Sequence, residues 1–133
     1  MILHSMLDTN VCIRALRNKH PQVRERLKAE RSEVCISTVI LHELYVGAAL
    51  SIRPEHEAHA VSEFALRLQV LDFDEDAAFH AANIRADLTK RGLLIGPNDI
   101  LIAGHARSLG LKLISGNLGE FTRVEGLRCE DWL

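Results

Sequence analysis

Ile2-Leu3-His4-Ser5-Met6-Leu7-Asp8-Thr9-Asn10 reads as a short buried strand, Ile2 to Leu7, ended by three polar residues that lead into a helix. The same change recurs down the chain. Val34-Cys35-Ile36-Ser37 is a β-rich run, and a helical stretch from Val39 to Leu50 follows it and stops before Pro54. Val70-Leu71 and Leu111 to Ser115 read as two further strands, with Leu127 to Cys129 as a candidate fifth.

Between the strands lie helical patterns. One runs from Asp8-Thr9-Asn10 to about Asn18, and Pro21 opens a charged one that ends near Arg31. Glu55 to Leu68 carries Ala58, Val61, Ala65 and Leu68 at helical spacing. Asp74 is placed to cap the clearest helix, with Glu75 and Asp76 in its first turn. Ala77, Ala81, Ile84 and Leu88 form its stripe, Lys90 and Arg91 its last turn, and Gly92 its stop. Pro97 opens a helix that is almost wholly apolar from Ile100 to Ala106, hence largely buried, and Gly110 ends it. Strand and helix in alternation predict right-handed βαβ units: an α/β/α three-layer sandwich around a central parallel sheet of four to five strands.

At 133 residues the chain is expected to form one domain, residues 1–133, with a core that needs no disulfides. Hydrophobic residues make up 47%, charged residues 26%, and the net charge is −2, which excludes a disordered chain and a basic nucleic-acid coat. Any nucleic-acid contact must therefore use a local patch. Cys12, Cys35 and Cys129 show no paired spacing, which fits a reducing cytoplasm better than a disulfide framework or a zinc knuckle. No signal peptide is expected, and no apolar run approaches the ~18 residues that a membrane span requires.

In a parallel sheet, ligands bind beyond the carboxyl ends of the strands, on the rim where the helices begin. That topology brings four separated words to one edge: Asp8-Thr9-Asn10, His42-Glu43-Leu44, Gly96-Pro97-Asn98-Asp99, and Gly116-Asn117-Leu118-Gly119-Glu120-Phe121. Each acid has a bland reading when taken alone. Asp8 suits a helix N-cap, Asp99 a first-turn carboxylate facing the helix dipole, Asn117 a turn, and Glu120 a surface position. Glu43 is harder to explain, because it sits among Val39, Ile40, Leu41, Leu44 and Val46, where a charge is costly unless paired. Gly47, one turn on, leaves space for a ligand or a close neighbour.

Taken together, carboxylates that would repel one another require a cation, and oxygen-only ligation selects Mg²⁺ or Mn²⁺ over zinc or copper. Such an ion activates water and neutralises a phosphodiester. Thr9 and Asn10 are candidates to orient Asp8 or to touch substrate. Arg14 and Arg17 stand two turns after Asp8, within reach of a phosphate backbone, in a basic run that continues through Lys19, Arg24, Arg26, Lys28 and Arg31. Competing chemistries lack their residues. There is no Walker A, G-x-G-x-x-G, G-x-S-x-G or H-E-x-x-H motif. Asn10 stands where a haloacid-dehalogenase phosphatase needs an aspartate. His56 and His59 read as solvated, and His105 as a satisfied core histidine.

Met6-Leu7-Asp8-Thr9-Asn10 with Cys12-Ile13, Cys35-Ile36-Ser37, His42-Glu43-Leu44 with Gly47, Ile84-Arg85-Ala86, Gly96-Pro97-Asn98-Asp99 and Glu130-Asp131-Trp132 occur in one order over the whole chain. In that order they resemble the PIN-domain ribonucleases, and among them the VapC toxins of bacterial toxin–antitoxin pairs. The resemblance implies a PIN-like sandwich and a Mg²⁺-dependent endoribonuclease in which Mn²⁺ can substitute. Members close to this pattern cut tRNA, initiator tRNA included, and the resemblance implies metal-activated water attack on the phosphodiester. It further implies a small VapB-like antitoxin whose tail crosses the active-site groove, operator DNA bound only through that antitoxin, a homodimer, and a cytoplasmic location with no membrane partner.

Position by position, Asp8, Glu43 and Asp99 match the family's catalytic, metal-binding acids. At the fourth acidic place, where many relatives have Asp, stand Asn117 and, three residues on, Glu120. Near relatives typically read Thr-Asn-Asn-Thr-Arg-Glu-Phe where this chain reads Ser115-Gly116-Asn117-Leu118-Gly119-Glu120-Phe121, so the basic side chain expected at position 119 is absent. Two rival readings fit less well. A PIN-like scaffold acting mainly through an antitoxin–DNA complex has no need to crowd three acids, and a DNA-flap nuclease needs an added helical arch that this chain lacks.

Overall fold

The computed structural model describes residues 2–17 and 20–132. Asn18, the expected end of the first helix, and Lys19 of the basic run lie outside the described residues. Among the described residues five strands form one sheet: β1 (Ser5–Leu7), β2 (Val34–Ser37), β3 (Gln69–Leu71), β4 (Lys112–Ile114) and β5 (Cys129–Glu130). Their order is β3-β2-β1-β4-β5, and every pairing is parallel.

Seven α-helices connect them among the described residues: α1 (Thr9–Arg17), α2 (Pro21–Glu30), α3 (Thr38–Ala49), α4 (Pro54–Leu66), α5 (Glu75–Arg91), α6 (Pro97–Ser108) and α7 (Leu118–Phe121). From β1 the chain steps to β2 and β3 on one side, then returns past β1 to β4 and β5. With right-handed crossovers, that reversal puts α1 to α4 on one face and α5 to α7 on the other. The three-layer sandwich follows.

Several elements depart from the expected bounds. β1 starts at Ser5, because Ile2 is exposed and only Ser5, Met6 and Leu7 are buried between both helical layers. A single 3-10 turn, Arg31–Glu33, separates α2 from β2. α3 begins at Thr38, since the Ser37 hydroxyl accepts the Val39 N–H at 3.1 Å and caps it. β5 is Cys129–Glu130, where the backbone pairs with Leu113 and Ile114 of β4. The short α7 carries too few residues for a periodic signal. At the end of α5, Gly92 takes the left-handed conformation (φ 67°) that closes the helix.

The core is continuous around the sheet, with Met6, Leu7, Cys35, Ile36, Leu113 and Ile114 at its centre. α5 and α6 pack so closely that a Cβ on Gly104 would lie 2.6 Å from the backbone of Ala81. Gly104→Ala is therefore expected to lower stability by about 2 kcal/mol, against a gain of up to ~1 kcal/mol from helix propensity. Urea unfolding midpoints of the two proteins check this, and an unchanged or higher midpoint would contradict the close packing.

Candidate active site

The order in which strands are added to the sheet reverses between β1 and β4, and this switch point is where an open parallel sheet leaves a crevice. Asp8 follows β1 and Ser115 follows β4. The Asp8 N–H continues the ladder by donating to the Ile114 carbonyl at 2.9 Å. Register then sets the Ser115 hydroxyl against Asp8, to which it donates at 2.7 Å (Oδ2). Asp8 is only 4% exposed, so its carboxylate depends on these donors.

Thr9 holds two acids at once. Its N–H donates to Asp8 Oδ1 at 2.8 Å, and its hydroxyl donates to Glu43 Oε1 at 2.8 Å. Glu43, half-buried on α3, is thereby tied to the start of α1. Asp99 lies in the first turn of α6. A second tie links the two helices that carry Glu43 and Asp99: His105 Nδ1 of α6 lies 2.8 Å from the Ser37 Oγ that caps α3. His105 is buried, packs edge-on against Phe73 at 5.6 Å, and has its pKa lowered by burial, so it is a neutral structural residue.

Electrostatics identify which acids converge. Burial pushes the Asp8 carboxyl above its ordinary range, the Ser115 and Thr9 bonds pull it back, and the charge on Glu43 raises it again. Asp99 is pushed up to about 6, first by burial, then by the charges of Asp8, Glu120 and Glu43. Four carboxylates therefore share one field: Asp8, Glu43, Asp99 and Glu120.

Asn117 is tied to the same site through its backbone. It opens α7, and its backbone N–H donates to Ser115 Oγ at 2.9 Å, so it steadies the hydroxyl that steadies Asp8. Of the remaining expected residues, Asn10 is exposed at the start of α1, and Arg14 and Arg17 lie further along that helix. A groove of about 240 Å³ runs beside Glu43, lined among others by Ile13, Arg17 and Gly47. A Cβ on Gly47 would meet nothing within 4 Å, so the glycine opens onto space.

Ser115 and Ser37 belong to the site, although the sequence, where both stand inside longer motifs, gives neither a role. The available signal is a small polar residue directly after or at the end of each strand that flanks β1. Among the described residues, no three His, Cys, Asp or Glu side chains lie close enough together to hold a metal ion as they stand. The donor set is nonetheless hard, anionic and self-repelling, and it fits a cation that keeps several waters and takes few carboxylates.

Crowding of this kind costs stability, and its sign follows from linkage. Above the ordinary value of 3.8 and below about 6, folded Asp99 holds a proton that the unfolded chain has released, so its contribution to stability falls as pH rises through that window. Asp99→Asn should therefore melt higher than the parent at neutral pH in EDTA, by about 1 kcal/mol once solvent screening is allowed. The difference should close as pH falls towards 3.8. Thermal melts across pH check it, and equal midpoints at neutral pH would remove the repulsive cluster.

Known proteins share this architecture. The PIN domain family matches residues 5–127. The tRNA(fMet)-specific endonuclease VapC of Salmonella typhimurium is 47% identical over 131 residues, 98% of this chain and 99% of the relative. The structure of the DNA-bound VapBC complex from Salmonella typhimurium superposes with a TM-score of 0.95 at 47% identity, covering 98% of this chain and 99% of that one. VapBC2 of Rickettsia felis, bound to a promoter DNA fragment, gives a TM-score of 0.91 at 32% identity, with 100% of both chains covered. The chain belongs to the PIN-domain family and, within it, to the VapC ribonucleases of VapBC toxin–antitoxin systems.

Proposed function

We propose that residues 1–133 form one PIN domain that acts as a divalent-metal-dependent endoribonuclease on tRNA, with Mg²⁺ as the working ion and Mn²⁺ able to replace it. The observation that carries this reading is buried Asp8 at the switch point, held by Ser115 and Thr9 within the field of Glu43, Asp99 and Glu120. Asp8, Glu43 and Asp99 would hold the cation, with Glu120 and Asn117 completing its surroundings directly or through water. When bound, a divalent ion supplies Lewis-acid activation of water and neutralises charge on the phosphodiester.

The chain's own residues supply orientation. Thr9 fixes Glu43 relative to Asp8 through two donors on one residue, and Ser115 aims the second Asp8 oxygen. The Ser37–His105 bond keeps the helices of Glu43 and Asp99 in register. Holding these groups before substrate arrives avoids reorganisation during the reaction. Water adds to phosphorus and the 3′ oxygen leaves with a proton, which yields a 5′-phosphate and a 3′-hydroxyl.

The relatives' complexes with an antitoxin and DNA support a small VapB-like inhibitor for this chain, whose basic side chains suit an acidic groove. With a net charge of −2, the chain reaches operator DNA through that partner. No helix among the described residues is long and apolar enough to cross a membrane. Cys12, Cys35 and Cys129 are free thiols, which supports a reducing cytoplasm. A homodimer is the expected assembly.

Purified protein incubated with tRNA should cleave in Mg²⁺ or Mn²⁺ and stop in EDTA, leaving 5′-phosphate ends. Asp8→Asn should abolish cleavage and retain the fold and antitoxin binding, whereas Glu120→Gln should cost less. Persistent cleavage in EDTA, or 2′,3′-cyclic ends, would show the mechanism to be wrong. By mass action, metal at a hundred times its dissociation constant should add about 2.7 kcal/mol of stability. Melts with and without Mn²⁺ check this, and midpoints that coincide at saturating metal would rule out a shared site.

A further inference from the structure

Along α1, past the acids, the surface changes sign. A pocket of about 290 Å³ is lined by Asn10, Ile13, Arg14, Arg17 and His20, and every charged or titratable group in that lining is basic. Ile13 and Arg17 also line the groove that holds Glu43, so the two spaces share a wall. Arg14 Nη1 is buried without a hydrogen-bond partner, an unsatisfied donor of the kind that folded proteins seldom tolerate. Among the described residues no carboxylate pairs with Arg14 or Arg17. His20 precedes α2 without its side chain capping that helix, which leaves the ring uncommitted there.

We propose that Arg14, Arg17 and His20 form a subsite for a non-scissile phosphate of the RNA substrate, continuing the catalytic groove along α1. The inference rests on the ribonuclease reading above and adds where the strand runs. At 1.5 Å per residue, Arg14 and Arg17 lie about 9 and 14 Å along the helix axis from Asp8, a span that an extended RNA strand covers within a few nucleotides. An acidic cluster alone would repel a polyanion, and adjacent guanidinium groups that bind phosphate oxygens offset that repulsion and set the strand's direction. Arg17, on the shared wall, joins the two regions.

The test uses the full chain and two substrates: a single-stranded RNA long enough to reach the pocket, and a short oligonucleotide confined to the scissile bond and its neighbours. Arg14→Gln with Arg17→Gln should raise KM for the long RNA by about tenfold or more with little change in kcat, and should affect the short substrate far less. The slope of log affinity against log salt should become shallower by about 0.7 for each phosphate that the substituted side chains no longer neutralise. Measuring that affinity in an Asp8→Asn background separates the subsite from catalysis, so it is decided even if the parent protein cleaves nothing, a result that would sink only the ribonuclease reading. An unchanged KM and salt slope overturns the subsite. Equal losses on both substrates overturn it too, by exposing a structural role. Loss of antitoxin binding with RNA affinity intact would assign the pocket to an acidic segment of the partner instead.

Discussion

The parallel pairing of β1 with β4 is the constraint from which the site follows. These strands lie far apart in the chain, and Asp8 and Ser115 are 107 residues apart when their side chains bond at 2.7 Å. The pairing creates the switch point, because one crossover system leaves β1 towards β2 and the other returns to β4. It also buries Asp8 where only designated donors can stabilise it. Glu43 is tied to that carboxylate through Thr9, and Asp99 feels its charge together with those of Glu120 and Glu43.

Two uncharged ties do the positioning, which suits an electrostatically strained site. Thr9 bridges Asp8 and Glu43 without adding charge, and neutral His105 locks α6 to the capped start of α3 through Ser37. A buried cation in either place would neutralise the acids from within and weaken their attraction for an external one. The close contact of Gly104 with Ala81 lets α6 lie tight against α5, and α6 carries both His105 and Asp99. Stability has been given up at the rim, where like charges gather, and recovered in the apolar layers beneath it.

Charge along α1 is organised by the same geometry. The helix begins beside the most buried acid, Asp8, and carries Arg14 and Arg17 further along, so an acidic region at its start gives way to a cationic stretch along the same helix. A polyanion that needs a cation at its reacting phosphate and direct protein contacts at its neighbours matches that sequence of charges. The net charge of −2 conceals this local ordering.

The amino-acid sequence by itself determined the elements and the rim. Asp74 and Gly92 bracket α5, Pro97 opens α6, and the apolar runs before Asp8 and after Arg31 mark strands, because caps, breakers and periodicity act within a few residues. That Asp8, Glu43 and Asp99 share one edge followed from βα alternation alone. Tertiary structure decided everything that depends on which strand pairs with which. It brought in Ser115, left Asn117 acting through its backbone while Glu120 joins the acidic field, showed that Thr9 serves Glu43 as well as Asp8, and left Arg14 Nη1 buried and unpaired. Hydrogen bonds between residues distant in sequence have no local signature, since a serine after a strand looks the same whether its hydroxyl meets solvent or a buried carboxylate.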